Sequence, residues 1–323
     1  MNSKLPFHIF AQIKERLEKA SRVAIFAHKN PDGDAIGSTT ALALALEQIG
    51  VKNDLICIDK PGRAFQFIEK TESFLRDFNP ADYDLGVILD AGDLQLISFG
   101  EIYPDFFAQV PIIKIDHHPN GHFEPEIKWI DASYASVTEM LVDLFKFCKI
   151  KITPEIATSL LTGLYTDTGS FQHSNTTVNT LRTTAYLLRC GGSYRSIAKS
   201  VFQTIPFSTL KLWGRVLSRI EKNEEGVVFS AVTKKDYEEC HASREELAGA
   251  VDYLNAVEGN YSILLTEEND RVKASLRTKS DQIDVSSIAK KFGGGGHVKA
   301  AGFAVPGKLK AETHWRVVDA NAQ

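Results

Sequence analysis

The chain has 323 residues and a formal charge of −4, a length that implies two domains. An acidic total speaks against a DNA-coating protein, whose affinity comes from lysine and arginine neutralising phosphates. The composition is that of a globular protein without a disorder signature. Residues 1–20 pattern as an amphipathic helix and lack the apolar core and cleavage site of a secretory signal. No run approaches the roughly 18 apolar residues of a membrane span. Cys57, Cys148, Cys190 and Cys240 form no C-x-x-C pair, so they read as reduced thiols of a cytoplasmic protein.

From about 22 to 131, short apolar runs alternate with helical patterns. VAIFAH, DLICID, DLGVILD and IIKIDHH are short, β-branched and bounded by turn residues, as buried strands are. AIGSTTALALALEQIG, between the first two, reads as a helix ended by Gly50. Strand and helix in alternation predict an α/β fold with a parallel sheet, whose ligands sit beyond the carboxyl ends of the strands. From 136 to 222 the patterns are helical: SVTEMLVDLFKFC, PEIATSLLTGLYTD, TVNTLRTTAYLLRCGG and FSTLKLWGRVLSRIEKN. Beyond 224, GVVFSAVT, YSILLTEEND and RVKASLRTKS read as strands, with helices at REELAGAVDYLNAV and VSSIAKKF. The expected division is a catalytic domain over 1–190, a helical linker over 191–223 and a smaller α/β domain over 224–323.

Four separated segments offer ligands for a hard metal: His28, Asp32 and Asp34 in one loop, Asp90 at a strand end, Asp116, His117 and His118 at another, and Asp167 in GLYTDTGSF. Each alone has a plain reading, as a turn residue, a helix cap or a solvated carboxylate. Together, acids ending buried strands on one edge repel one another and lose hydration unless a cation compensates. Oxygens with a minority of imidazoles favour manganese or magnesium, with zinc or cobalt also allowed.

HKNPDGDAIGS, LDAGD, IDHHPNG and YTDTGSF, in this order, resemble the four motifs of the DHH phosphoesterases, and GGGGHVKAAGF resembles the glycine-rich motif of the DHH-associated domain. The likeness spans nearly the whole chain and is nearest to the nanoRNase/pAp-phosphatase branch. It implies two divalent ions, most readily Mn2+, with Mg2+ or Co2+ as substitutes. His28 and Asp32 would hold one, Asp34, His117 and Asp167 the other, and Asp90 would bridge them. Asp116 would orient a histidine ligand, and His118 would touch the scissile phosphate. Gly33 is expected to let the loop bend between Asp32 and Asp34. Ser275, Arg277, Gly294, Gly295, Gly296 and His297 would bind the nucleotide, with the active site in the cleft between the domains. One departure is visible: Gln95 and Leu96 stand where many relatives carry an arginine.

The implied activity is hydrolysis of short oligoribonucleotides to mononucleotides and of 3′-phosphoadenosine 5′-phosphate (pAp) to AMP, by a hydroxide activated between two metals. Cleavage of cyclic di-AMP or pApA is the nearest alternative. A RecJ-like exonuclease fits less well, because no OB-type module is evident after the second domain. A non-catalytic nucleotide-binding protein would have lost metal ligands. The expected partners are short RNA or a small nucleotide, without membrane or long DNA; a homodimer is left open.

Overall fold

The computed structural model describes residues 5–119, 121, 123–202, 205–247, 249–268 and 270–310. The chain divides into two compact units at Thr204 and Ile205.

In the first unit the elements run α1 (Phe7–Lys19), β1 (Arg22–Phe26), α2 (Gly33–Gln48), β2 (Lys52–Ile56) and β3 (Leu85–Leu89), then the short helices α3 (Leu94–Ile97), α4 (Phe99–Ile102) and α5 (Pro104–Gln109). β4 (Ile112–Asp116), β5 (Ile127–Ile130), α6 (Val137–Cys148), α7 (Pro154–Asp167), α8 (Val178–Arg189) and α9 (Tyr194–Phe202) follow. The strands pair in the order β2-β1-β3-β4-β5, all parallel. β3 and β4 are buried at every position, as strands covered on both faces must be. The chain leaves β1 towards β2 and returns to β1's other side as β3. That reversal opens a crevice beyond the carboxyl ends of β1 and β3, where ligands bind in open α/β sheets.

α2 is apolar almost all round and nearly every residue is buried, so it packs inside the unit rather than on its surface. Ile36, Leu42 and Leu46 each contribute about 2 kcal/mol by burial. α2 packs most extensively against α7. The close approach depends on two missing side chains: a Cβ on Gly37 would fall 2.4 Å from the Ser159 carbonyl, and one on Gly163 would fall 2.5 Å from Asp34 Oδ1.

The second unit contains α10 (Phe207–Ser218), β6 (Glu221–Lys222), β7 (Val227–Val232), α11 (Lys234–Cys240), α12 (Ala250–Ala256), β8 (Tyr261–Glu268), β9 (Arg271–Arg277), α13 (Val285–Lys290), β10 (Gly295–His297) and β11 (Ala300–Pro306). Its sheet is mixed, in the order β10-β11-β9-β8-β7-β6, with only β7 and β8 parallel.

The four apolar runs read as strands are strands, and the helix after the first is α2. Three readings change. REELAGAVDYLNAV is a 3-10 turn at Glu245–Leu247 and then α12, broken where Gly249 takes a φ of +84°. The helix expected to run to Asn223 stops at Ser218, and Glu221–Lys222 pairs with β7 instead. β5 and β11 were not anticipated. β5 is an edge strand with only alternate residues buried, and β11 is rich in alanine and glycine, so neither carries the apolar run that marks the inner strands.

Candidate metal centre

The first loop is shaped by its own polar groups. Asp32 caps α2, its Oδ1 accepting from the Asp34 and Ala35 N–H groups at 3.0 Å. Asp34, on the first turn, is fully buried, and its two oxygens accept from Val137 N (2.6 Å) and Thr138 N (2.9 Å) at the start of α6. A carboxylate at a helix N-terminus is favoured by the backbone dipoles. Gly33 has no left-handed φ, so the expected bend is not its role. Its missing Cβ makes room for Thr166, whose Oγ1 would lie 2.3 Å away. Ser38 Oγ turns back to the Ala35 carbonyl and serves the helix. Asn30 N donates to Asp59 Oδ2 at 2.9 Å and pins the loop. Gln95 and Leu96, where the sequence departs from its relatives, lie on α3, and the Leu96 carbonyl accepts from Lys29 N at 2.7 Å.

His28 and Asp90 flank the crevice between β1 and β3. Asp90 has a φ of +57°, a left-handed backbone that a non-glycine residue adopts at a cost of about 1 kcal/mol. His28 Nε2 lies 3.7 Å from Asp32 Oδ1 and 3.7 Å from Asp90 Oδ2. Its Nδ1 is bound to the Lys29 carbonyl at 2.8 Å, which leaves Nε2 as the inward atom. His117 Nε2 lies 3.2 Å from Asp167 Oδ2 and 3.7 Å from Asp90 Oδ1. Ligand atoms of His28, Asp32 and Asp90 lie within 4.8 Å of one another, as do those of Asp34, His117 and Asp167. Asp90 therefore stands beside both groups.

Asp116 is fully buried and grips His118: its Oδ1 accepts from His118 N at 2.9 Å and from His118 Nδ1 at 3.0 Å. The histidine it orients is thus His118, not His117. His118 is half exposed, with Nδ1 also 3.4 Å from Asp90 Oδ1. Asp90, His117 and His118 form a third close group. With His118 Nδ1 engaged by Asp116, its Nε2 is the atom left to face outward.

The electrostatics record an excess of negative charge. Burial opposes a charged His28, yet Asp32 and Asp90 outweigh it and push its pKa up to about 11. Asp116 and Asp90 raise His118 to about 10. Burial lifts Asp167 to about 6, with His117 pulling the other way and Asp90 and Asp32 adding to the rise. Burial and the nearby Asp167, Asp90 and Asp32 hold Asp34 well above the ordinary carboxylate range. Asp90 Oδ1 and His117 Nε2 are buried and make no hydrogen bond among the described residues. The close contact of His117 with Asp167 lacks hydrogen-bond alignment. Orphaned buried polar atoms that converge are costly in apolar surroundings. A divalent cation satisfies them and offsets the acids, so this donor set fits a hard metal.

Sequence reasoning passed over Lys114, Glu139 and Asn175. Lys114, almost fully buried on β4, donates from Nζ to the Gly92 carbonyl, two residues past Asp90. A charged residue inside an apolar central strand was the available signal. Glu139 accepts from Ala135 N at 2.9 Å and helps shape the start of α6. Asn175 Nδ2 donates to the Asp167 and Ala135 carbonyls, both at 3.2 Å. His173 Nδ1 also meets the Asp167 carbonyl, at 3.2 Å. His122 and His314 lie outside the described residues.

In the second unit, strand register aligns the expected nucleotide contacts. Gly295 pairs with Gly302, which pairs with Ser275; His297 pairs with Ala300, which pairs with Arg277. Residues two apart on a strand share a face, so Ser275, Arg277, Gly295 and His297 lie on one side of the sheet. Ala274, Leu276 and Ala301 point the other way, into the core with α13. Gly293, at φ +74°, closes α13: Gly293 N bonds to the Lys290 carbonyl and Gly294 N to the Ala289 carbonyl, as a Schellman motif requires. A Cβ on Gly294 would lie 2.2 Å from the Gly302 carbonyl, whereas nothing lies within 4 Å of one on Gly295. Arg277 has its Nε 3.8 Å from Asp252 Oδ1.

Residues 22–164 match the DHH family N-terminal domain and residues 220–322 the DHHA1 domain. The chain is 32% identical to the bifunctional oligoribonuclease and PAP phosphatase NrnA of Thermus thermophilus, over 92% of this chain and 88% of that one. It belongs to the DHH family. Proteins of the same name in Mycoplasma genitalium and Bacillus subtilis are 28% and 25% identical, covering 90% and 88% of the DHH chain and 91% and 89% of their own. An exopolyphosphatase-related protein from Bacteroides fragilis shares the fold, with a TM-score of 0.86 at 23% identity over 97% of this DHH chain and 94% of its own. RecJ of Thermus thermophilus aligns at a TM-score of 0.52 and 14% identity, covering 92% of this chain but 51% of RecJ. Among the described residues no helix is long and apolar enough to cross a membrane.

Proposed function

We propose that this DHH protein hydrolyses short oligoribonucleotides to mononucleotides and pAp to AMP, with two divalent ions, most readily Mn2+. The observation that carries the reading is the convergence of His28, Asp32 and Asp90 with Asp34, His117 and Asp167 at the carboxyl edge of the sheet. The Thermus relative's activities supply the substrate class.

His28, Asp32 and Asp90 would hold one ion; Asp34, His117, Asp167 and Asp90 the other. Bound there, the pair would supply a water nucleophile at neutral pH and neutralise the phosphoryl oxygens. The protein's part is placement. Asp116 fixes the His118 ring through Nδ1, so His118 Nε2 is set to meet a phosphoryl oxygen and protonate the departing one. Arg277, with five donors in a rigid fork, suits a terminal phosphate. The side-chain-free row at Gly295 gives a nucleotide access to backbone N–H groups. Ser275 and His297, on the same sheet face, would complete the grip. Four free thiols without a disulfide suit the reducing cytoplasm.

The test is a substrate panel of pAp, diribonucleotides, pApA, cyclic di-AMP and long single-stranded DNA with manganese, reading kcat/KM for each. The reading expects pAp and diribonucleotides to lead. Preference for cyclic di-AMP or for long DNA contradicts it.

A further inference from the structure

From Thr168 to Ile220 the chain contains no aspartate or glutamate, in a protein whose total charge is −4. The helices of this stretch carry only basic charge. On α9, Arg195 and Lys199 are one helical turn apart and exposed, while Ile197 between them is buried in the core. Neither forms an ion pair among the described residues.

α9 packs against the 3-10 turn Arg63–Phe65. That turn belongs to the segment that leaves the carboxyl end of β2, on the same sheet edge as the metal centre. Lys60 and Arg63 on it are exposed and likewise without an acidic partner among the described residues. The segment is moored to the site: Asp59, just before Lys60, accepts from Asn30 N, two residues past His28. Lys29, between His28 and Asn30, is exposed too. Asp59 accepts from a backbone amide and forms no ion pair with Lys60 or Arg63 among the described residues, and Glu47 is held by Lys70. Five exposed cations without an ion pair among the described residues thus lie on the loop after His28, on the segment after β2 and on the helix packed against it.

We propose that Lys29, Lys60, Arg63, Arg195 and Lys199 form a phosphate track on the N-terminal unit that holds the sugar–phosphate chain of an RNA substrate beyond the bond being cut. The ligand class is a single-stranded polyanion longer than a dinucleotide. This rests on the oligoribonuclease reading above and deepens it. The track makes no contact with the base, so it is blind to sequence. A mononucleotide such as pAp ends before reaching it. The enzyme then carries two modes at one centre: small substrates held at the site alone, and short RNAs held by the site and the track together.

The test uses the full chain and a variant with Lys60→Gln, Arg63→Gln, Arg195→Gln and Lys199→Gln, all exposed positions outside the metal centre. Binding of a labelled heptaribonucleotide is followed by fluorescence anisotropy in EDTA across a salt series. Turnover of pAp and of the heptaribonucleotide is then measured with manganese. Each phosphate contact contributes about 0.7 to the slope of log affinity against log salt. The variant is expected to lose about tenfold or more in heptaribonucleotide affinity, with a slope shallower by up to about 3, while kcat/KM for pAp stays within about twofold. Unchanged affinity and slope, or an equal fall for pAp and heptaribonucleotide, would overturn the track. If the unmodified protein turns over neither substrate, the hydrolase reading fails, and the anisotropy result still decides whether the track binds RNA.

Discussion

The candidate metal centre and the glycine-rich face of the second unit are built from opposite materials. The centre gathers ionisable side chains in buried positions, where burial and mutual repulsion raise Asp34 and Asp167 and neighbouring carboxylates raise His28 and His118. It is held by convergent backbone donors and by helices brought close at Gly37 and Gly163. The glycine face is made from backbone freedom and strand register, with Arg277 and His297 partly or fully exposed. The first arrangement crowds buried acids that a cation would offset; the second is a partly exposed strand surface. The proposed function assigns chemistry to the first and grip to the second, so mutations should sort by which one they touch.

The sharpest separation comes from Asp90→Ala. It removes the carboxylate proposed to serve both ions, so kcat should fall by about 10⁴-fold or more. Circular dichroism should show the secondary structure retained, which separates loss of a ligand from loss of the fold. Near-normal turnover with saturating manganese would break the assignment.

Gly163→Ala is the next largest. Its Cβ would press on Asp34 Oδ1 and Thr138, costing about 1–3 kcal/mol of stability and about tenfold or more in metal affinity, as displaced supporting groups do. Isothermal titration and a melting curve read both. Gly294→Ala is its counterpart in the second unit, where a Cβ meets the Gly302 carbonyl. It should raise KM for pAp by about tenfold and leave metal affinity unchanged. If the two variants gave the same pattern, the division of labour would collapse.

The smallest effect lies within the second unit, at residues that belong to neither proposed site. Arg219 grips Asp236 through two bonds, Nη1 to Oδ2 at 2.6 Å and Nη2 to Oδ1 at 2.7 Å. Burial raises the carboxyl, but Arg219 and the Thr233 donors outweigh it and lower its pKa from 3.8 to about 2. A lowered carboxylate stabilises the fold fully above its unfolded pKa, and that stability is lost as pH falls through the folded value. Asp236→Asn should therefore cost about 2 kcal/mol at pH 7, with the difference shrinking between about pH 4 and pH 2. Urea titrations at pH 7 and pH 3 test it; an equal loss at both pH values would reject the ion pair as its source.

Much of the first unit was legible because its inner strands are continuous apolar runs ending in His28, Asp90 and Asp116, and because four motifs kept a recognisable order. The set of converging side chains could be named from them. What could not be read was contact between distant segments. Asp34 accepting from Val137 and Thr138, and Gly163 leaving room for Asp34, are long-range packing facts that leave no local pattern. Asp116 was expected to serve a metal-binding histidine, and only geometry assigns it to His118. The opening loop shows the same limit: Gly33 is required for the nearness of Thr166, not for a bend. In the second unit β11 was missed because alanine and glycine carry weak strand signals, yet that strand aligns Ser275 with Gly295 and Arg277 with His297.

The central claim is that the converging side chains hold two divalent ions and that Asp90 serves both. Metal-free protein, prepared with chelator and titrated with Mn2+ by isothermal calorimetry with electron paramagnetic resonance in parallel, tests it directly. The account predicts two ions per chain, with spin coupling between them, and weakened, uncoupled binding in Asp90→Asn. A single uncoupled site, or full phosphoesterase activity in the chelated protein, would contradict it.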